Sequence, residues 1–123
     1  MEKTNKKILI IEDDPNFVSI LKQRFSEEGF LVVVAQDGKE AVSVSSREPV
    51  DIIISDILLP TLNGIDAIKK IKEKNPDMPV IFLTNIKDPV YLDPIKDMKK
   101  TECLIKSDVK LEEIVKKVKK HFK

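Results

Sequence analysis

Five short apolar runs alternating with five segments of helical periodicity predict a doubly wound α/β domain, a parallel sheet with helices on both faces. Two further observations support this. The runs are continuously apolar and not alternating, as strands covered on both sides are. The 123 residues suffice for one hydrophobic core without a disulfide or structural metal. Residues 1–123 are therefore expected to form a single domain, with no effector domain after Lys123.

The expected strands are "ILII" at 8–11, "LVVVA" at 31–35, "DIIIS" at 51–55, "VIFL" at 80–83 and "CLI" at 103–105, most of them rich in β-branched residues. The first helix carries Phe17, Ile20, Leu21 and Phe25 on one stripe, with Asp14 as N-cap and Pro15 in the first turn. Gly29 ends it in a left-handed conformation. "DG" at 37–38 opens a weaker helix with Ala41, Val42 and Val44. "NG" at 63–64 opens a third with Ile65, Ile68 and Ile71, stopped by "NPDMP". Between Asp88 and Lys100, Pro89 and Pro94 cannot both occupy a first turn, so that helix is short, late or kinked. In the last helix Leu111, Ile114, Val115, Val118 and Phe122 face inward, while Lys110, Lys116, Lys117, Lys119 and Lys120 face water.

Composition narrows the functional classes. The 22 basic and 21 acidic residues nearly cancel, against the basic excess of a nucleic-acid binder, so no nucleic-acid contact is expected. One cysteine, Cys103, allows no intrachain disulfide and favours a reducing compartment. No signal peptide or membrane span can be drawn, so a cytoplasmic protein without membrane contact is expected.

Ligands of such sheets bind at the carboxyl ends of the strands. There this sequence places Glu12 and Asp13, Asp56, Thr84 and Lys106. Singly, each has an ordinary explanation: a solvated loop acid, a hydroxyl satisfying the backbone, a lysine paired to an acid. Together they suggest three carboxylates that repel unless a cation joins them, and hard oxygen donors suit Mg²⁺. A metal, an ammonium and a hydroxyl around one carboxylate are the groups that stabilise phosphoryl transfer, with the carboxylate as nucleophile. Asp56 follows the most central run and is the best-placed acceptor.

The motifs "IIEDDP", "SDILLPTLNG", "FLTN" and "LIKSD", in that order, resemble the receiver domain of two-component response regulators, and the resemblance runs from Lys7 to Phe122. It implies a flavodoxin-like (βα)₅ fold with strand order 2-1-3-4-5. It implies that Asp56 accepts a phosphoryl group from a phosphohistidine on a sensor histidine kinase or histidine phosphotransfer protein. Asp13, Asp56 and the backbone carbonyl of Leu58 would bind Mg²⁺, with Glu12 helping through water, and Thr84 and Lys106 would contact the phosphoryl oxygens. Output partners would dock on the face of helix 4, strand 5 and helix 5. The chain departs from the family at Cys103, where an aromatic switch residue is common, and at Lys99, Ser107 and Pro94. Leu58 and Ile86 stand where the family tunes dephosphorylation, and both are apolar, which implies a long-lived phosphoryl group. A partner-binding pseudo-receiver, an aspartyl-nucleophile phosphatase and a flavin-binding protein are the alternatives. Leu58 in place of a second acid weighs against the phosphatase, and the acidic loop "EDDPN" against the flavin protein.

Overall fold

The computed structural model describes residues 5–122, so residues 1–4 and 123 of the expected domain lie outside the described residues. Strand and helix alternate as β1 (Lys7–Ile11), α1 (Pro15–Glu27), β2 (Leu31–Ala35), α2 (Gly38–Arg47), β3 (Ile52–Ser55), α3 (Gly64–Lys74), β4 (Val80–Thr84), α4 (Pro89–Lys96), β5 (Thr101–Ile105) and α5 (Leu111–Lys120). The strands form one sheet, paired parallel throughout, in the order β2-β1-β3-β4-β5. This is the doubly wound, flavodoxin-like arrangement that the alternation and the resemblance imply.

The period-two geometry of the strands divides the core into two layers. Leu9, Ile11, Ile53, Val80 and Phe82 point to one face, where Ala41, Ile65, Ile68 and Ile95 of α2, α3 and α4 cover them. Ile8, Ile10, Ile52, Ile54, Ile81 and Leu83 point to the other, beneath Leu21 and Phe25 of α1 and Ile114, Val115 and Val118 of α5. Each fully buried aliphatic side chain contributes roughly 1.5–3 kcal/mol of transfer free energy. The doubled core explains why β1, β3 and β4 read as unbroken apolar runs.

Capping follows the expected residues. Asp14 accepts a hydrogen bond from the Asn16 N–H at 3.0 Å, with Pro15 in the first turn of α1. Asp37 accepts from Glu40 at 2.8 Å and Asn63 from Asp66 at 2.9 Å, opening α2 and α3. Gly29 follows α1 with φ 93°, a conformation that costs glycine nothing.

Three expectations need correction. Ile20 is 51% exposed, because the buried stripe of α1 runs through Leu21 and Phe25 and Ile20 lies about 100° away from Leu21 around the axis. Asp51 lies outside β3; its backbone N–H bonds the Lys7 carbonyl at 2.8 Å, and its carboxylate accepts from the Lys7 N–H. β5 starts at Thr101, two positions before the apolar "CLI", since an edge strand can carry polar residues. The fourth helix is short, as expected: Pro89 takes the first turn after the Asp88 cap, Pro94 sits inside and the helix ends at Lys96.

Candidate functional site

Backbone pairing brings the polar strand ends together. Ile11 is in register with Ser55, so the chain leaves β1 and β3 side by side at Glu12 and Asp56. The Glu12 N–H donates to the Ala35 carbonyl and the Asp56 N–H to the Ile11 carbonyl, both at 3.0 Å. Beyond β5, the Lys106 N–H donates to the Thr84 carbonyl at 2.9 Å. Each ladder is thus extended by one bond, and those bonds fix where three charged side chains start.

The three charges meet at one ammonium. Lys106 Nζ donates to Glu12 Oε1 at 2.6 Å and to Asp56 Oδ2 at 2.9 Å. The second oxygen of each acid takes backbone donors. Glu12 Oε2 accepts from the N–H groups of Asp13 and Asp14 at 3.0 and 3.2 Å. Asp56 Oδ1 accepts from Ile57 at 2.6 Å. The side chains of Glu12, Asp56 and Lys106 are only 4%, 14% and 19% exposed, so this pairing operates with little screening.

Electrostatics follow from burial and from the lysine. Burial raises the Glu12 carboxyl above its usual value of 4.5, and hydrogen bonds from Lys106 and the Asp14 backbone only partly offset it. Burial would lower Lys106 below 10.5, but the two carboxylates together outweigh it and raise the ammonium instead. Lys106 therefore stays protonated at neutral pH.

The loop after β3 presses against Asp56 from the other side. The Gly64 N–H donates to the Ile57 carbonyl at 2.7 Å, folding α3 back onto the strand end. Ile57 is fully buried beneath this turn. Thr61 occupies the left-handed region at φ 66°, a costly conformation for a β-branched residue, so the loop carries local strain.

The remaining expected site residues fall as follows. Thr84 is buried, with 1% exposure, and its Oγ1 accepts from the Ile86 N–H at 3.2 Å. Leu58 is 57% exposed, and its carbonyl accepts no hydrogen bond among the described residues. Asp13 is exposed, and its carboxylate likewise has no partner among the described residues.

Of the three expected acids, Glu12 and Asp56 meet at Lys106, while Asp13 is exposed beside them in sequence. Among the described residues no group of three or more acidic, histidine or cysteine side chains is placed to hold a metal ion. Glu12 and Asp56 share Lys106, which supplies the compensating charge that sequence reasoning assigned to the metal. The donor set nonetheless fits Mg²⁺, an ion usually held by one or two carboxylates with several waters. Asp13 and the Leu58 carbonyl are uncommitted oxygens, Asp56 keeps lone pairs on both of its own, and Glu12 keeps one on Oε1, the oxygen that Lys106 also bonds.

Two participants escaped sequence reasoning. The Phe17 ring lies beneath the ammonium, 4.8 Å from Lys106 Nζ to its centroid, although helical spacing marks Phe17 only as a core residue. Gly64 reads as a turn residue, but a Cβ there would fall 1.9 Å from the Asp56 carbonyl oxygen. No pattern in the sequence reveals either contact.

With this geometry established, the family's sequence model, described as "Response regulator receiver domain", matches residues 8–119. The chain belongs to the response regulator receiver domains. The receiver fold recurs in solved relatives. The Thermotoga maritima response regulator TrrA, solved in complex with Mg²⁺-BeF, is 31% identical with TM-score 0.82, over 94% of this chain and 98% of that one. A Clostridium difficile two-component response regulator is 27% identical with TM-score 0.87, over 96% of each chain. Among curated proteins, the Bacillus subtilis alkaline phosphatase synthesis transcriptional regulatory protein PhoP is 35% identical over 80 residues, 65% of this chain. Staphylococcus aureus SaeR is 39% identical over 77 residues, 63% of this chain. The match spans about a third of each, 33% of their length. PhoP is named a transcriptional regulatory protein, so the comparisons lend no support to the expected absence of nucleic-acid contact. Among the described residues no helix is long and apolar enough to cross a membrane.

Proposed function

We propose that this receiver domain accepts a phosphoryl group on Asp56 from a phosphohistidine of a sensor histidine kinase or histidine phosphotransfer protein in the cytoplasm. The reading rests above all on one observation: Asp56 is a largely buried carboxylate at the sheet edge whose Oδ2 receives the Lys106 ammonium at 2.9 Å. An Asp56 oxygen attacks phosphorus, the P–O bond forms as the P–N bond breaks, and the electron pair returns to the imidazole nitrogen, which takes up a proton. Lys106 offsets the negative charge that gathers on the transferring group, where positioning and charge neutralisation account for most of the rate.

Asp13, Asp56 and the Leu58 carbonyl would hold Mg²⁺, with Glu12 acting through water; the ion would neutralise charge on the phosphoryl oxygens. Thr84 would give up its local acceptor role toward Ile86 and donate its hydroxyl to a phosphoryl oxygen. That rearrangement biases a pre-existing two-state equilibrium and changes partner binding at the face of α4, β5 and α5. The half-buried Cys103 on that face lacks the ring of an aromatic switch, so the bias must pass through packing of α4. Residues 1–123 act in this reading as one receiver unit.

The test is stoichiometric. Unmodified protein and Asp56→Asn are incubated with acetyl phosphate, with and without Mg²⁺, and intact masses are recorded. One added phosphate, dependent on Mg²⁺ and absent from the variant, is expected; uptake by Asp56→Asn equal to that of the unmodified protein overturns the reading.

A further inference from the structure

We infer that Phe17 is a positioning residue, whose ring face holds the Lys106 ammonium at Asp56. The inference rests on the reading of Asp56 as the phospho-acceptor. An ammonium has three N–H donors. Lys106 commits two of them, to Glu12 at 2.6 Å and Asp56 at 2.9 Å, and among the described residues no oxygen takes the third. The Phe17 centroid lies 4.8 Å from Nζ, inside the range of a cation held over a ring face.

The placement is built from α1 upward. Asp14 caps the helix and Pro15 opens it, which sets Phe17 in the first turn of α1, directly beyond the acidic loop. The ring is partly buried against the core layer beneath α1 and α5, so its orientation is fixed by packing. Three elements therefore surround one ammonium: the end of β1 through Glu12, the end of β3 through Asp56, and α1 through Phe17.

Glu12 and Asp56 compete for the same charge, and the Glu12 contact is the shorter. A lysine stem is flexible, and without a third wall the ammonium could turn to water or follow Glu12 alone. The ring keeps water from that side of the ammonium. An aliphatic residue of similar size would fill the volume but would not attract the cation.

The experiment compares Phe17→Leu, which keeps apolar volume, with Phe17→Tyr, which keeps the face. In NMR spectra without phosphodonor, the Lys106 ε-methylene protons should be shifted upfield by the ring in the unmodified domain and in Phe17→Tyr. That shift should be lost in Phe17→Leu. With acetyl phosphate and Mg²⁺, Phe17→Leu should lower the maximal phosphorylation rate about three- to tenfold at unchanged half-saturating donor concentration. Phe17→Tyr should restore it. The inference is overturned by Lys106 shifts indifferent to the ring, by an unaltered maximal rate in Phe17→Leu, or by failure of Phe17→Tyr to rescue. Absence of phosphate uptake by the unmodified domain instead overturns the reading of Asp56, while the ring shifts still report where Lys106 is held.

Discussion

A Cβ on Gly64 would stand 1.9 Å from the carbonyl oxygen of Asp56, closer than any real side-chain atom approaches backbone. The first residue of α3 and the candidate phospho-acceptor are thus in direct backbone contact, through a site where only glycine fits. Gly64→Ala must push α3 away from the strand end and disturb the 2.7 Å bond from its N–H to Ile57. The cost should be roughly 1–3 kcal/mol despite the better helix propensity of alanine. Urea denaturation measures it, and phosphorylation of Asp56 should slow in the same variant.

Dephosphorylation depends on what can orient a water at the phosphoryl group. Leu58, more than half exposed, and Ile86, partly buried, offer no hydrogen-bonding side chain. The double variant Leu58→Asn with Ile86→Glu should shorten the lifetime of the phosphorylated form about tenfold or more, the scale of general base assistance. Decay after removal of acetyl phosphate checks this; an unchanged decay rate contradicts it.

Lys72 ties two turns together far from the site. Its ammonium donates to the carbonyls of Met78 and Lys99 at 2.8 and 2.5 Å, joining α3 to the starts of β4 and β5. Lys100, next to Lys99, has φ 52°, so the tether restrains a strained turn. Burial lowers the Lys72 pKa below 10.5. The folded state then binds fewer protons than the unfolded one between the lowered value and 10.5, and stability rises with pH across that window. Lys72→Met should remove this alkaline rise and cost about 1–2 kcal/mol at neutral pH for the Met78 carbonyl left without its donor, whereas the Lys99 carbonyl keeps the Thr101 hydroxyl. Denaturation curves at stepped pH read both effects.

At the opposite end of the pH scale, Glu28 links α1 to α5. It pairs with Arg24 and with Lys119, and Arg24 also bonds both oxygens of Glu112, at 2.9 and 3.0 Å. The hydrogen bond from Lys119, then that from Arg24, holds the Glu28 carboxyl below its usual 4.5. Its stabilising contribution is present above 4.5 and is lost as pH falls through the lowered folded value. Glu28→Gln should flatten the acid limb of the stability profile, more clearly at low salt.

Much of this fold is legible in the chain because local signals agree with the tertiary solution. Ile8–Ile11, Ile52–Ile54 and Val80–Leu83 are apolar throughout because helices cover both faces, and Asp14, Asp37 and Asn63 cap helices they visibly precede. Legibility fails where the deciding partner is distant in sequence. Ile20 looks like a core residue until the packing of α1 is known, and edge strand β5 has polar positions that no apolar count finds. The same holds for the site. Its charged residues are readable at strand ends, but that Lys106 bridges Glu12 and Asp56, that Asp13 stays exposed, and that Phe17 lies under the ammonium are facts of packing.

The most direct test of the central claim is to locate the phosphoryl group after loading with acetyl phosphate and Mg²⁺. Borohydride reduction of the acyl phosphate, digestion and peptide sequencing by mass should find the modification at position 56 alone. Modification at Asp13, Glu12 or a serine, with Asp56 intact, would contradict the account.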